Sequence, residues 1–163
     1  MRIRPETVDD FQAVGALLIA AFAGDAEAKL VDALRRDGDA TCALVAIVDD
    51  CIAGHILFSP LVIEGVTSAV ALAPLAVAQV HRRRGVGEAL VRAGLDECRR
   101  LGFEAVVVLG DPDYYGRFGF SAAKAAALTG PYAGEHLQAL ELVPGSMRAA
   151  RGEPRYARAF AEL

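Results

Sequence analysis

The stretch Leu75-Ala-Val-Ala-Gln-Val-His-Arg-Arg-Arg-Gly-Val-Gly-Glu-Ala-Leu90 constrains this chain more than any other. An apolar run ends in three consecutive arginines, and a Gly-x-Gly then opens an amphipathic segment. The pattern predicts a strand that delivers a helix N-terminus to an anion. The first turn of a helix carries about four backbone N–H groups without intrahelical partners and about half a positive charge from the aligned peptide dipoles. Phosphate binds readily at such an end. Gly85 and Gly87 leave the backbone open to close approach, while Arg82, Arg83 and Arg84 add fixed charge and bidentate donors. A pyrophosphate has the right bulk and charge.

The helix that follows is the best-marked element of the sequence. Val86, Ala89, Leu90, Ala93, Gly94, Cys98 and Leu101 fall on one face, charged residues on the other, and Gly102 is placed to cap its end. Upstream, residues 3–5 predict a short strand. Thr7 can cap a helix running to Phe22, with Asp9 and Asp10 in its favourable first turn. Asp25 starts a second helix whose Leu30, Val31 and Leu34 stripe ends near Gly38. Residues 42–48 and 52–58 are β-rich runs joined by Asp49-Asp50, a hairpin signal. Residues 70–78 form another strand, in which Pro74 is awkward because it cannot donate a ladder hydrogen bond. A bulge or splayed pairing resolves that conflict. Further on, 104–109 reads as a buried strand. Asp111-Pro112 gives an N-cap and first-turn proline to a short helix carrying Tyr114, Tyr115 and Phe118. Residues 137–143 alternate as a late strand, and 121–135 give no definite element.

The spacing Arg82-x-x-Gly85-x-Gly87 after Leu75-Ala76-Val77 resembles the acyl-coenzyme-A signature of the GNAT superfamily of N-acetyltransferases. A second segment, Tyr114-Tyr115-Gly-Arg-Phe-Gly-Phe120, is similar to the motif of that fold's next strand and helix. The opening residues and the paired strands before residue 70 look alike too, so the likeness covers about residues 1–120. The tail resembles the bacterial YhbS-like branch.

This resemblance implies a mixed α/β (α+β) GNAT-like fold, with a central, mostly antiparallel sheet that splays to admit acyl-coenzyme A and bulges beside the acetyl group. It implies one domain over residues 1–163, with a family-specific C-terminal segment over about 121–163. The cosubstrate would be acetyl-coenzyme A, with its pantetheine arm along Leu75, Ala76 and Val77. Its pyrophosphate would lie on Arg82, Arg83, Arg84, Gly85, Val86 and Gly87. Tyr115, four positions before Gly119, matches the motif's tyrosine near the coenzyme sulfur, whereas Tyr114 is one place out of register. Gln79 and His81 depart from the family pattern, which more often has proline and an aromatic there.

The implied reaction is direct attack of an amine on the thioester, with no covalent acyl-enzyme and no metal. A phenol with an ordinary pKa of about 10 holds its proton at neutral pH and can present it to a departing thiolate. Full proton transfer to a thiolate of cysteine-like pKa, about 8.5, is uphill by roughly 2 kcal/mol, so hydrogen-bond stabilisation is an equal alternative. No general base is legible: His55, His81 and His136 are scattered, Glu64 is open, and Asp111 has a capping role. An α-amine near pKa 8 needs only water as proton acceptor, whereas a lysine near 10.4 is almost wholly protonated at pH 7.

Other classes are constrained by absence of pattern. The third glycine of a dinucleotide fingerprint is replaced by Leu90, and there is no P-loop, nucleophile elbow or His-Glu-x-x-His helix. Apolar residues make up 54% of the chain, yet no run approaches the roughly 18 needed to span a bilayer. The N-terminus lacks the apolar region of a secretory signal, which makes the cytoplasm the default location. Cys42, Cys51 and Cys98 have no metal or disulfide spacing and read as small buried hydrophobes. A net charge of −4 gives no nucleic-acid footprint. A non-catalytic acyl-coenzyme-A sensor, or an interaction module with a fortuitous loop, remains as an alternative to the enzyme. The acceptor amine is unidentified, and the chain acts as a monomer or homodimer.

Overall fold

The computed structural model describes Met1–Leu163. It comprises two compact units: Met1–Ser59 with Ala73–Asp96 and Ala157–Leu163, and Pro60–Leu72 with Glu97–Tyr156.

In the first unit, β1 (Arg2–Pro5), β2 (Cys42–Val48) and the first part of β3 (Cys51–Glu64) form an antiparallel ladder. Asp49 and Asp50 have φ of +51° and +63°, the left-handed backbone that a tight two-residue hairpin turn demands and that aspartate tolerates. Cys51 follows this turn and is exposed, which corrects its reading as a buried hydrophobe; Cys42 and Cys98 are buried. The helices α1 (Phe11–Phe22) and α2 (Ala26–Arg36) bury Val14, Leu18, Val31 and Leu34 in one cluster with Val45 and Leu57 of the strands. Thr7 does not open α1 directly, because a 3-10 turn over Val8–Asp10 intervenes. That tight turn brings the Asp10 carboxylate to the Thr7 N–H at 2.8 Å and to the Arg4 guanidinium at 2.6 and 2.9 Å. The Arg4 hydrogen bonds hold Asp10 far below the usual carboxylate range.

Close backbone approach seats α3 (Val86–Arg100). A Cβ at Gly54 of β3 would lie 2.8 Å from the Leu90 side chain, 3.0 Å from Val86 and 3.1 Å from the Ala76 carbonyl oxygen. Farther along, a Cβ at Gly94 would lie 2.3 Å from the Phe58 ring. Two glycines, one on the strand and one on the helix, therefore set how near α3 comes to β3. The predicted inner face holds except at Leu101, which is 44% exposed because the helix ends at Arg100 and the periodic face ends with it. Val91 and Leu95 are buried instead.

Gly94→Ala tests this packing. Overpacking costs about 1–3 kcal/mol, and the better helix propensity of alanine returns about 1 kcal/mol. The expected net loss of up to about 2 kcal/mol should appear as a lower urea midpoint with an unchanged slope. A more stable variant would mean the helix has room to spare.

In the second unit the remainder of β3 pairs antiparallel with β7 (Arg151–Tyr156), placing Leu61 opposite Tyr156. The strand β4 (Ala69–Val77), of which Ala69–Leu72 belong to this unit, runs parallel to β5 (Ala105–Leu109), which is antiparallel to β6 (Leu137–Glu141). Leu61, Ala71, Val107, Leu137, Ala139 and Met147 lie in this unit's core. The parallel ladder pairs Ala69, Val70 and Ala71 with Ala105, Val106 and Val107 and ends there, so Pro74 interrupts nothing in it. The hydrogen-bonded order is β1-β2-β3-β4-β5-β6, with β7 attached to β3, which makes a mixed sheet of 7 strands.

Three sequence expectations are corrected in this region. The strand β3 runs through Ser59-Pro60 to Glu64 instead of ending at Phe58. The strand β6 stops at Glu141, whose carboxylate accepts the Met147 N–H at 3.0 Å as the chain turns. The strand β7 was not anticipated, since Arg-Gly-Glu-Pro-Arg-Tyr has no alternating apolar pattern. It forms as an edge strand, where a proline such as Pro154 is tolerated. The region 121–135 contributes a 3-10 turn at Ala123–Ala125 and a bridge from Ser121 to Ala139.

Candidate active site

The arginine-glycine segment is the connection from β4 to α3. The tail of β4 is tied to β3 where the Ala78 N–H donates to the Ala53 carbonyl at 2.8 Å. A 3-10 turn over Gln79–His81 follows, and Arg82 turns back so that its Nε donates to the Val77 carbonyl at 3.3 Å. Arg83 and Gly85 both take left-handed backbone, with φ of +62° and +80°. Glycine adopts that conformation freely, whereas an arginine does so at a cost of about 1 kcal/mol or more. Gly85 then opens α3, its carbonyl accepting the Ala89 N–H at 3.0 Å.

Arg82, Arg83, Arg84 and Gly85 are all exposed, and no carboxylate pairs with any of the three arginines. Three unneutralised guanidinium groups thus flank a helix N-terminus. Ala76 and Val86 are buried, so these two residues have only backbone to offer a ligand; Leu75, Val77 and Gly87 are half-buried. The sequence did not mark Gly54, although it is the position that admits Val86, Leu90 and the Ala76 carbonyl together. An isolated glycine in a strand was the available signal.

In the second unit, Asp111 caps α4 (Pro112–Tyr115) by accepting the Asp113 N–H at 2.9 Å, as its Asp-Pro sequence predicts. A 3-10 turn over Gly116–Phe118 ends at Gly119, φ +100°. The Tyr115 ring lies against Gly110, where a Cβ would sit 2.5 Å from it. It packs edge-on to Tyr114 at 5.0 Å and to Phe120 at 5.8 Å between centroids. Gly110 is itself fixed: its N–H donates to the His136 carbonyl at 3.0 Å, and its carbonyl accepts the buried Gln138 amide at 3.1 Å. The Tyr115 hydroxyl has no hydrogen-bond partner in the protein and is not sealed in the core. Burial, and secondarily the neighbouring Tyr114, push its pKa up to about 12. The phenol is therefore a firmer proton holder than its ordinary value implies.

Three of the other candidate bases, His55, Glu64 and His136, lie beside charged side chains. His55 is wholly buried, with Nε2 at 3.0 Å from Glu6, whose carboxylate also binds Arg35. Hydrogen bonds from His55 and Arg35 outweigh burial and lower the Glu6 pKa. Glu64 pairs with Arg151 at 3.2 Å, and His136 stands exposed 3.9 Å from Glu135. No group of three His, Cys, Asp or Glu side chains is arranged to hold a metal ion. No helix is long and apolar enough to cross a membrane.

This fold, with an arginine-glycine loop at the head of its main helix, is that of an acetyl-group transferase. Residues 11–120 match the model of the acetyltransferase (GNAT) family, and the chain belongs to that family. It is 46% identical over 125 residues to the N-acetyltransferase YhbS of Escherichia coli strain K12, covering 76% of this chain and 75% of the relative. The Escherichia coli N-acetyltransferase YjhQ is 39% identical over 105 residues, covering 61% of this chain and 58% of that one. Among solved structures, Escherichia coli YhbS in complex with CoA superposes with a TM-score of 0.91 at 38% identity, covering 98% of this chain and 91% of that one. A GNAT acetyltransferase from Brucella melitensis in complex with acetyl-CoA gives a TM-score of 0.80 at 32% identity, covering 98% and 97%.

Proposed function

We propose that this chain transfers an acetyl group from acetyl-coenzyme A to an amine by direct attack on the thioester, residues 1–163 acting as one catalytic domain. The observation that carries this reading is the exposed, unpaired Arg82-Arg83-Arg84-Gly85 turn at the N-terminus of α3. The complexes of the two close structural relatives, with CoA and with acetyl-CoA, support the same ligand. In this reading the pyrophosphate lies on residues 82–87, and the backbone of Leu75, Ala76 and Val77 takes the pantetheine arm. These roles, and that of Tyr115, follow the family motif residue by residue.

The amine nitrogen forms a bond to the acetyl carbon, the carbon–sulfur bond breaks, and the amine sheds one proton to water. The thiolate leaves towards the Tyr115 hydroxyl. With the phenol at about 12 and a thiol of about 8.5, full proton transfer is uphill by about 5 kcal/mol. Tyr115 therefore acts as a hydrogen-bond donor to the developing thiolate, and solvent completes its protonation. The setting is the cytoplasm, with the enzyme a monomer or homodimer.

An amine panel incubated with acetyl-coenzyme A, read by thiol release and by the mass of the acetylated product, tests the reading. Stoichiometric thiol and N-acetyl product are expected. Tight coenzyme binding without turnover of any amine would instead mark a sensor, and no binding would remove the coenzyme site.

A further inference from the structure

We propose that the cleft between Tyr132 and Tyr156 binds an ammonium group of the acceptor, so that the acceptor carries a second cation besides the amine that is acylated. This rests on the amine-transfer reading and names its substrate class. The cleft is small, about 30 Å³, enough for a group the size of an ammonium head, and it opens to solvent between Pro131, Tyr132, Leu137, Glu153, Pro154 and Tyr156. The two tyrosine rings meet at 84° with centroids 6.0 Å apart, so they form perpendicular walls. An aromatic face attracts cations through its quadrupole, and the proline and leucine walls suit the methylenes that carry an alkylammonium.

Glu153 supplies the countercharge. Gly130, φ +105°, lies beneath it, and a Cβ there would be 2.8 Å from its Cγ and 2.9 Å from its carboxyl carbon. A side chain at Gly130 would push this exposed carboxylate off the turn beside the cleft. The protein provides no cation for it; Arg151, on the same strand, is paired with Glu64. Two rings, an unpaired carboxylate and an apolar floor together select an organic cation over a neutral or anionic group.

The cation held there is not the nucleophile. An environment that stabilises ammonium raises the pKa of the amine inside it, whereas attack on a thioester needs the neutral amine. One chain segment borders both the cleft and the Tyr115 ring. Leu137, which lines the cleft, follows His136, whose carbonyl holds the Gly110 N–H against which the Tyr115 ring rests. One end of a diamine anchored in the cleft leaves the other end free to react, and the chain's net charge of −4 favours such an acceptor's approach.

The test compares α,ω-diaminoalkanes of graded length with n-alkylamines of the same length, using the full chain. At the best length, the diamine should exceed the monoamine in kcat/KM by about tenfold or more. Glu153→Gln and Tyr132→Leu should each bring that ratio down about three- to tenfold, through KM for the diamine, without changing KM for acetyl-coenzyme A. Tetramethylammonium, which cannot be acylated, should compete with the diamine and shift the ring resonances of Tyr132 and Tyr156. Equal use of diamines and monoamines, or variants that leave the ratio unchanged, would overturn the proposal. If no amine is turned over, the transfer reading fails by itself. The tetramethylammonium titration then decides the cleft: ring shifts lost in Glu153→Gln sustain it, and no shifts at about 50 mM end it.

Discussion

Tyr115→Phe is expected to lower the single-turnover rate of acetyl transfer by about ten- to a thousandfold, with little change in acetyl-coenzyme-A affinity. The substitution keeps the ring, and with it the packing on Gly110, Tyr114 and Phe120, and removes only a hydroxyl that has no partner in the protein. Tyr114→Phe serves as the register control and should have a much smaller effect. Single-turnover measurement is needed because slow product release hides a chemical defect.

The pH dependence provides a further check on the same residue. Burial raises the Tyr115 phenol to about 12, so its proton is bound more firmly in the folded than in the unfolded chain. Any stability this contributes is complete below the unfolded value of about 10 and is lost as pH climbs through the folded value. Its hydrogen-bond donation should likewise persist across the neutral and mildly alkaline range. An alkaline limb near the ordinary phenol value would belong to another group. Gly110→Ala, which thrusts a methyl at the ring, should slow the wild-type background and add nothing further in the Tyr115→Phe background. Full single-turnover rate in Tyr115→Phe would exclude tyrosine-assisted departure of the thiolate.

Replacing Arg82, Arg83 and Arg84 together by glutamine should weaken acetyl-coenzyme-A binding by about ten- to a hundredfold at low ionic strength, and by less as salt screens the charges. All three are exposed and free of ion pairs, so stability should change by no more than about 0.5 kcal/mol. Gly85 requires a more careful substitution. At φ +80° a valine is strained whatever it does to a ligand, although no protein atom lies within 4 Å of the place its Cβ would take. Asparagine tolerates that backbone, so Gly85→Asn separates the steric block from the strain. Weak binding in a variant of near-normal stability is the expected result. Salt-independent, undiminished affinity in the arginine variant would show a merely solvated turn.

The sequence by itself determined the features whose causes are local. Helical period and a glycine stop set α3 and most of its buried face, paired aspartates set the β2–β3 turn, and Asp111-Pro112 set the start of α4. The arginine-glycine loop was legible for the same reason: its charge and its left-handed glycine lie within six consecutive residues. Leu101 escaped because a periodic face says nothing about where the helix lets go. Only the tertiary structure decided which distant residues meet. Gly54 and Gly94 matter through contacts with Leu90 and Phe58, about 36 residues away in each case, and no propensity records such an approach. The polar strand β7 exists because β3 offers it an edge, and the raised Tyr115 pKa exists because Gly110, Tyr114 and Phe120 enclose the ring. Tyr132, Glu153 and Tyr156 come together for the same reason: pairing and burial join segments that the chain keeps apart.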